Sequence, residues 1–261
     1  MLLRGTIFSK TLEMSTGLTI AGPNDFTGDA PYRTVYLLHG LCGNSDCWAD
    51  YTRLRLCAEE RRILFIMPEV QRSFYTDMRY GGQFLTYVSE ELPDICKNLF
   101  RISAKREDTA VIGGSMGGYG ALKAALNHPE RFGACAALSP CCLMNGEEMD
   151  TLRFMPAEQA EQTYGVQLMR DFTAIFGSEL ALLPQDHSVR LAEKAARGGL
   201  VPRLYLSCGK QDDLLADCRH YHEILSSLGV AHTYEEWDGA HDWYYFDDAL
   251  RRALVWLDGA E

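Results

Sequence analysis

The five residues Gly113-Gly114-Ser115-Met116-Gly117 constrain this chain more than any other stretch. They follow the apolar run Thr109-Ala110-Val111-Ile112 and precede Tyr119-Gly120-Ala121-Leu122-Lys123-Ala124-Ala125-Leu126, whose pattern is helical. The expectation is a buried strand, a tight turn and a helix, with serine at the apex. A side chain at such an apex has a strained backbone that only small neighbours tolerate, and Gly113 and Gly117 remove the Cβ atoms that would collide. The turn pushes the Ser115 Oγ above the sheet, beside the helix N-terminus and the backbone N–H of Met116, where an oxyanion would form. The pattern therefore points to acyl transfer through serine.

The rest of the chain supplies a scaffold for that turn. Thr6–Phe8 and Thr11–Ile20 read as strands, the second stopped by Gly22-Pro23. Val35–Leu38 and Ile63–Met67 are continuous apolar runs, as expected of parallel strands buried on both faces. Gly82–Leu99 reads as a helix that Pro93 kinks or divides. Phe132–Leu138, Val201–Ser207 and Ala231–Trp237 read as further strands, and Asp213–Leu228 and Trp243–Leu257 as helices. Alternation of this kind predicts one α/β domain over 1–261, with a mostly parallel central sheet of about eight strands and helices on both faces. Residues from about 141 to 200 are too long for one crossover. With Met144, Met149, Phe154, Met155, Met169, Phe172, Ile175 and Phe176, they read as a helical cap insertion over the strand ends.

Composition removes several classes of function. A net charge of −11 without a Lys/Arg cluster disfavours a nucleic-acid partner. No stretch reaches the ~18 apolar residues of a membrane span, and the N-terminus lacks the apolar core and cleavage site of a signal peptide. The nine cysteines form no C-x-x-C pair, and most lie in apolar runs. Buried thiols in a cytoplasmic protein are expected, with no metal and no cofactor.

A serine hydroxyl needs a base to take its proton. Of the seven histidines, His241 lies in the loop after the last strand, on the same edge of the sheet as Ser115. His128, His187, His220, His222 and His232 fit that position worse. The acid that orients the base is expected in Cys208-Gly209-Lys210-Gln211-Asp212-Asp213, after the penultimate strand. Asp212 and Asp213 compete there; Asp212 is favoured, and the other carboxylate is left to cap the following helix. The second oxyanion donor is expected in His39-Gly40-Leu41-Cys42-Gly43, with the N–H of Leu41 joining that of Met116. His39 itself is read as structural, its ring bonded to loop backbone.

Several blocks together resemble the esterase-D-like branch of the α/β-hydrolases, with the closest likeness to the tributyrin-esterase and feruloyl-esterase-like group. They are Leu37–Leu41 through Trp48, Arg72–Asp77, Gly113–Leu122, Phe176–Ser178, Cys208–Leu214 and Gly239–Trp243, within a resemblance running from Ser9 to Leu257. The resemblance implies a serine carboxylesterase with Ser115, Asp212 and His241 as triad and with Leu41 and Met116 at the oxyanion. It adds Trp48, Tyr75 and Trp243 as residues shaping the substrate site. The implied partner is a small-molecule or carbohydrate-linked ester, and the oligomeric state stays open. Feruloyl or acetylxylan ester hydrolysis is the alternative. Less favoured are acyl transfer to a sugar, a non-catalytic binding protein on this scaffold, and S-formylglutathione hydrolysis. Relatives with the last activity carry Ser-Gly-Leu-Thr-Cys where this chain has His39-Gly40-Leu41-Cys42-Gly43.

Overall fold

Strands buried on both faces must send alternate side chains into two separate apolar layers. The computed structural model, which describes residues 1–25, 30–141 and 147–259, shows this along the central strands. The strands are β1 (Leu2–Ser9), β2 (Met14–Ala21), β3 (Arg33–Leu38), β4 (Ile63–Pro68), β5 (Thr109–Gly114), β6 (Ala134–Leu138), β7 (Arg203–Gly209) and β8 (Thr233–Trp237). They form an eight-stranded sheet in the order β1-β2-β4-β3-β5-β6-β7-β8. β1 and β2, and β2 and β4, pair antiparallel; every other pairing is parallel. Val35, Leu37, Phe65, Ile112 and Ala136 face one layer, while Tyr36, Leu38, Ile66, Val111 and Ala137 face the other.

The helices divide accordingly. They are α1 (Cys47–Tyr51), α2 (Leu54–Arg61), α3 (Phe84–Thr86), α4 (Leu92–Leu99), α5 (Met116–Asn127), α6 (Glu147–Phe154), α7 (Ala157–Tyr164), α8 (Val166–Phe176), α9 (Ser188–Ala196), α10 (Leu215–Ser227) and α11 (Trp243–Leu257). Trp48 of α1, Leu54 of α2 and the apolar face of α11 cover one side of the sheet. α4, α5, α8, α9 and α10 contribute to the core on the other. Because β3 to β8 run parallel, the loops after β3, β5, β6, β7 and β8 all leave from one edge.

Two expectations shift in detail. β2 starts at Met14, because Lys10 to Glu13 form a turn closed by Glu13 N–H to the Lys10 carbonyl at 3.3 Å. The expected helix over Gly82–Leu99 starts at Phe84 and carries a π turn, Tyr87–Glu91, directly before Leu92-Pro93. As expected, the helical stretch is divided at Pro93: the proline lacks an N–H, the wider turn relieves its clash with the preceding coil, and α4 begins with Pro93 in its first turn.

The long segment before β7 does hold helices, α6 to α9. α9 packs against α5 and α10 in the helical layer. α8 lies on the loop after β4, where Tyr80 N–H reaches the Ala174 carbonyl at 2.9 Å and Phe74 meets Phe172 edge to face at 5.3 Å. Met149, Phe172, Ile175 and Phe176 are buried, whereas Phe154 is 82% exposed. Met144 and Cys142 lie outside the described residues.

One charge is enclosed by this packing. Lys123 of α5 is fully buried, and its Nζ donates to Asp186 Oδ1 at 2.7 Å and Thr76 Oγ1 at 2.6 Å. Burial pushes the ammonium below its usual pKa, and the Asp186 carboxylate opposes that shift. The pair ties α5 both to the loop after β4 and to the segment entering α9. Removing one partner strands the other charge in a dry site. Lys123→Met is therefore expected to cost about 3–5 kcal/mol in urea unfolding, and adding Asp186→Leu to that variant should recover most of the loss.

Candidate active site

Ser115 sits between the last residue of β5 and the first of α5 with φ 58° and ψ −122°. That left-handed conformation costs a non-glycine residue roughly 1–3 kcal/mol and persists only where its surroundings enforce it. Here the enforcement is the close contact of strand and helix. A Cβ on Gly113 would stand 2.1 Å from the Gly117 carbonyl oxygen, and one on Gly117 would stand 2.3 Å from that of Leu38. Ser115 N–H donates to the Leu138 carbonyl at 3.0 Å, and its own carbonyl accepts from Gly118, Tyr119 and Cys141. Between Val111 and Leu126 every residue except Ser115 is buried.

The loop after β3 passes beside that serine. A Cβ on Gly40 would lie 3.4 Å from Ser115 Cβ and 4.0 Å from its Oγ. Three side chains hold the loop. Trp48 Nε1–H donates to the Leu38 carbonyl at 3.0 Å, and the Tyr75 hydroxyl donates to that of His39 at 2.9 Å. His39, 1% exposed, accepts the Val70 N–H on Nε2 at 3.2 Å, so its proton sits on Nδ1 and is donated to the Gly40 carbonyl at 2.8 Å. The Glu69 carboxylate stands 3.5 Å from Nε2 but accepts instead from the N–H groups of Ser45 and Gln71. Gly43 N–H also takes the Gly40 carbonyl, at 3.0 Å. Within a trans peptide unit the N–H points opposite to the C=O. Turning the Gly40 carbonyl towards the His39 ring therefore turns the Leu41 N–H away from it.

The loops after β7 and β8 bring Asp212 and His241 together. Lys210 N–H donates to the Trp237 carbonyl at 2.8 Å, Gln211 N–H to that of Gly239 at 3.0 Å, and Gly239 N–H to Gln211 Oε1 at 2.7 Å. Across these staples His241 Nδ1–H donates to Asp212 Oδ2 at 2.7 Å, leaving Nε2 as the acceptor. The Asp212 side chain is wholly buried, while that of His241 is 36% exposed. Burial alone would raise the Asp212 pKa. The His241 and Ser139 hydrogen bonds and the Leu214 N–H outweigh it and hold the carboxyl below the usual carboxylate range. Phe246 joins the two halves of the site: its ring lies edge-on to His241 at 5.1 Å, and a Cβ on Gly114 would meet it at 2.9 Å.

Asp213 is exposed, and it does not cap α10 as the sequence suggested. Helix α10 begins later, and the contact at its entry belongs to Asp212, whose Oδ1 accepts the Leu214 N–H at 2.8 Å. The expectation for Trp48 and Tyr75 is also corrected. Each is 1% exposed and spends its polar atom on the backbone after β3, so neither offers a surface to a substrate. Trp243 remains partly exposed, packed edge-on against Trp48 at 5.3 Å and stacked on the exposed Tyr51 at 5.1 Å.

One residue escaped the sequence reading. Ser139, directly after β6, donates from Oγ to Asp212 Oδ2 at 2.5 Å. Its available signal was its place one residue past an apolar parallel strand adjacent to β5. A groove of about 900 Å³ between α2 and α11 is lined by Arg53, Arg61, Arg203 and Trp256, none of them in this constellation. Among the described residues no group of three or more His, Cys, Asp or Glu could hold a metal ion, and no helix is long and apolar enough to cross a membrane.

Comparisons with known proteins place this chain among esterases. The family model described as "Putative esterase" matches residues 9–257. An acetyl esterase of Caldicellulosiruptor saccharolyticus is 28% identical over 96% of this chain and 95% of its own. A fluorophosphonate-binding serine hydrolase of Staphylococcus aureus, FphF, superposes with a TM-score of 0.83 at 30% identity, covering 98% of each chain. An S-formylglutathione hydrolase from the same organism does so at 0.81 and 29%, again covering 98% of each.

The two adjacent carboxylates separate cleanly in an experiment. Asp212→Asn is expected to lower kcat by up to ~10⁴-fold, because the amide favours the wrong imidazole tautomer. Asp213→Asn should leave kcat within about twofold, as exposed substitutions usually do. Because the folded pKa of Asp212 is depressed, its contribution to stability is present above its ordinary value near pH ~4 and is lost as pH falls through the folded value. That acid-side loss should be absent from the urea stability profile of Asp212→Asn.

Proposed function

Since this chain belongs to the esterase family, we propose that it is a serine carboxylesterase that hydrolyses short-chain acyl esters through an acyl-enzyme, as a tributyrin esterase does. The observation that carries the reading is the 2.7 Å contact of His241 Nδ1 with Asp212, on the same sheet edge as the strained Ser115. In this reading Ser115 Oγ attacks the ester carbonyl while His241 Nε2 takes its proton. The carbonyl oxygen gathers the negative charge, and the N–H groups of Met116, at the positive end of α5, and Leu41 receive it. The tetrahedral adduct collapses, His241 returns the proton to the departing alcohol, and the acyl group remains on Ser115. Water, deprotonated by His241, then attacks that acyl carbon and releases the acid, restoring Ser115. Asp212 holds the imidazole tautomer throughout and faces the imidazolium that forms.

The likeness to an acetyl esterase along nearly the whole chain supports a short acyl group. The stacked Tyr51–Trp243 pair, two residues beyond His241, supports a second reading in which the substrate carries a ring, the aromatic acyl half of a feruloyl ester or the sugar half of an acetylxylan ester. Cys57, Cys96 and Cys135 are buried free thiols, which supports a cytoplasmic setting.

Ser115→Ala is expected to lower turnover by ~10³-fold or more with an unchanged melting temperature. Retention of a tenth of wild-type activity would remove the serine from the mechanism. A panel of nitrophenyl esters, methyl ferulate, acetylated xylan and S-formylglutathione should give the highest kcat/KM on acyl chains of about two to four carbons. A peak at roughly ten carbons or more would require an extended apolar channel and would overturn the short-chain reading. Preference for ferulate or xylan would favour the second reading, and preference for the thioester would replace both.

A further inference from the structure

The neighbouring parallel strands β5 and β6 end in step, beside β7, which runs on to Gly209. Gly114 pairs with Leu138 and Leu138 with Ser207, so the next residues along, Ser115, Ser139 and Cys208, form one row across the edge of the sheet. Ser139 in that row is fully buried and has a positive φ of 44°, as Ser115 has one of 58°. Its N–H donates to the Ser207 carbonyl at 2.7 Å, which fixes the turn. A residue with a Cβ gains nothing locally from this conformation. What the conformation achieves here is to place Ser139 Oγ 2.5 Å from Asp212 Oδ2, 3.4 Å from His241 Nδ1 and 3.5 Å from Cys208 Sγ.

Asp212 Oδ2 thus accepts two donors, the imidazole and the hydroxyl, while Oδ1 takes the Leu214 N–H. We propose that Ser139 is a positioning residue that fixes the Asp212 carboxylate and sets the basicity of His241. The proposal rests on the triad reading above. A second donor on Oδ2 shares its negative charge, so the carboxylate stabilises the imidazolium less. The hydroxyl also fixes the plane of the carboxylate, and with it the plane of the ring. The other polar groups on the packed elements leave this balance to Ser139. The Cys208 thiol, hydrogen-bonded to Cys218 and buried, is pushed far up in pKa and stays neutral. Asp213 and Lys210 are exposed, Asp238 accepts from Gln211 at 3.4 Å, and Asp242 is occupied capping α11 through the Tyr245 N–H. The ring faces Phe246, which carries no charge.

Ser139→Ala and Ser139→Gly both remove the hydroxyl, but glycine also relieves the left-handed backbone. Both are expected to lower kcat roughly tenfold with little change in KM, and to move the acid limb of kcat/KM upward by about 0.5–1 pH unit. The midpoint of the His241 imidazole, followed by ¹⁵N NMR in the resting enzyme, should move up by the same amount. A purely structural role would lower the melting temperature and leave both midpoints in place, which overturns the proposal. So would a wild-type acid limb in Ser139→Gly with a shifted one in Ser139→Ala, because the backbone would then be the cause. The NMR midpoint reports the contact whether or not Ser115 is the nucleophile. An active Ser115→Ala together with a shifted His241 midpoint would therefore reject the triad while keeping the hydrogen bond.

Discussion

The contact between β5 and α5 is the constraint on which the rest of the site depends. Strand and helix approach until two glycines touch backbone, Gly113 against Gly117 and Gly117 against Leu38. No other residue type fits at those two positions without moving the helix off the sheet. The close approach holds Ser115 in a conformation that its own Cβ opposes, sets the helix N-terminus beside its Oγ, and brings the end of β3 within reach. The loop after β3 can then serve the same atom because its path beside Ser115 runs over another glycine, Gly40. Ordinary stability is sacrificed at that point, and the large apolar layers on both faces of the sheet supply it elsewhere.

Much of this was legible in the chain because the demands are local. Runs such as Val35–Leu38 and Ile63–Met67 read as central strands because burial on both faces removes polar alternation. The serine elbow read clearly because its glycines are sterically required. Asp212 and Asp213 were harder to separate. Which neighbour turns inward depends on how the loops after β7 and β8 are stapled, and the sequence does not carry those hydrogen bonds. Pro93 read correctly as a point of division because its clash is local: a π turn absorbs it and a new helix starts there.

Aromatic residues near a motif were the least reliable signals. Trp48 and Tyr75 were placed in the right neighbourhood and given the wrong task. An indole or phenol near a site can present its ring face to a ligand or its polar hydrogen to the backbone, and composition does not distinguish the two. Here both spend the hydrogen on the carbonyls of Leu38 and His39. Ser139 was missed because a serine after a strand looks like any loop residue. Only the register of β5, β6 and β7 shows that it stands in line with the elbow. The long segment before β7 was read as one covering piece, yet α9 belongs to the layer that already contains α5 and α10.

The buried Lys123–Asp186 pair has an evolutionary corollary. It fastens the segment entering α9 to the helix that follows Ser115, so the chain between β6 and Asp186 begins and ends at fixed points. The entropy of closing such a loop rises only slowly with its length. Descendants of this scaffold can therefore lengthen, shorten or exchange that excursion while Ser115, Asp212 and His241 stay in register. A single salt bridge out of water's reach thus acts as the hinge pin of a replaceable module, separating the part of the molecule free to diversify from the part that is not.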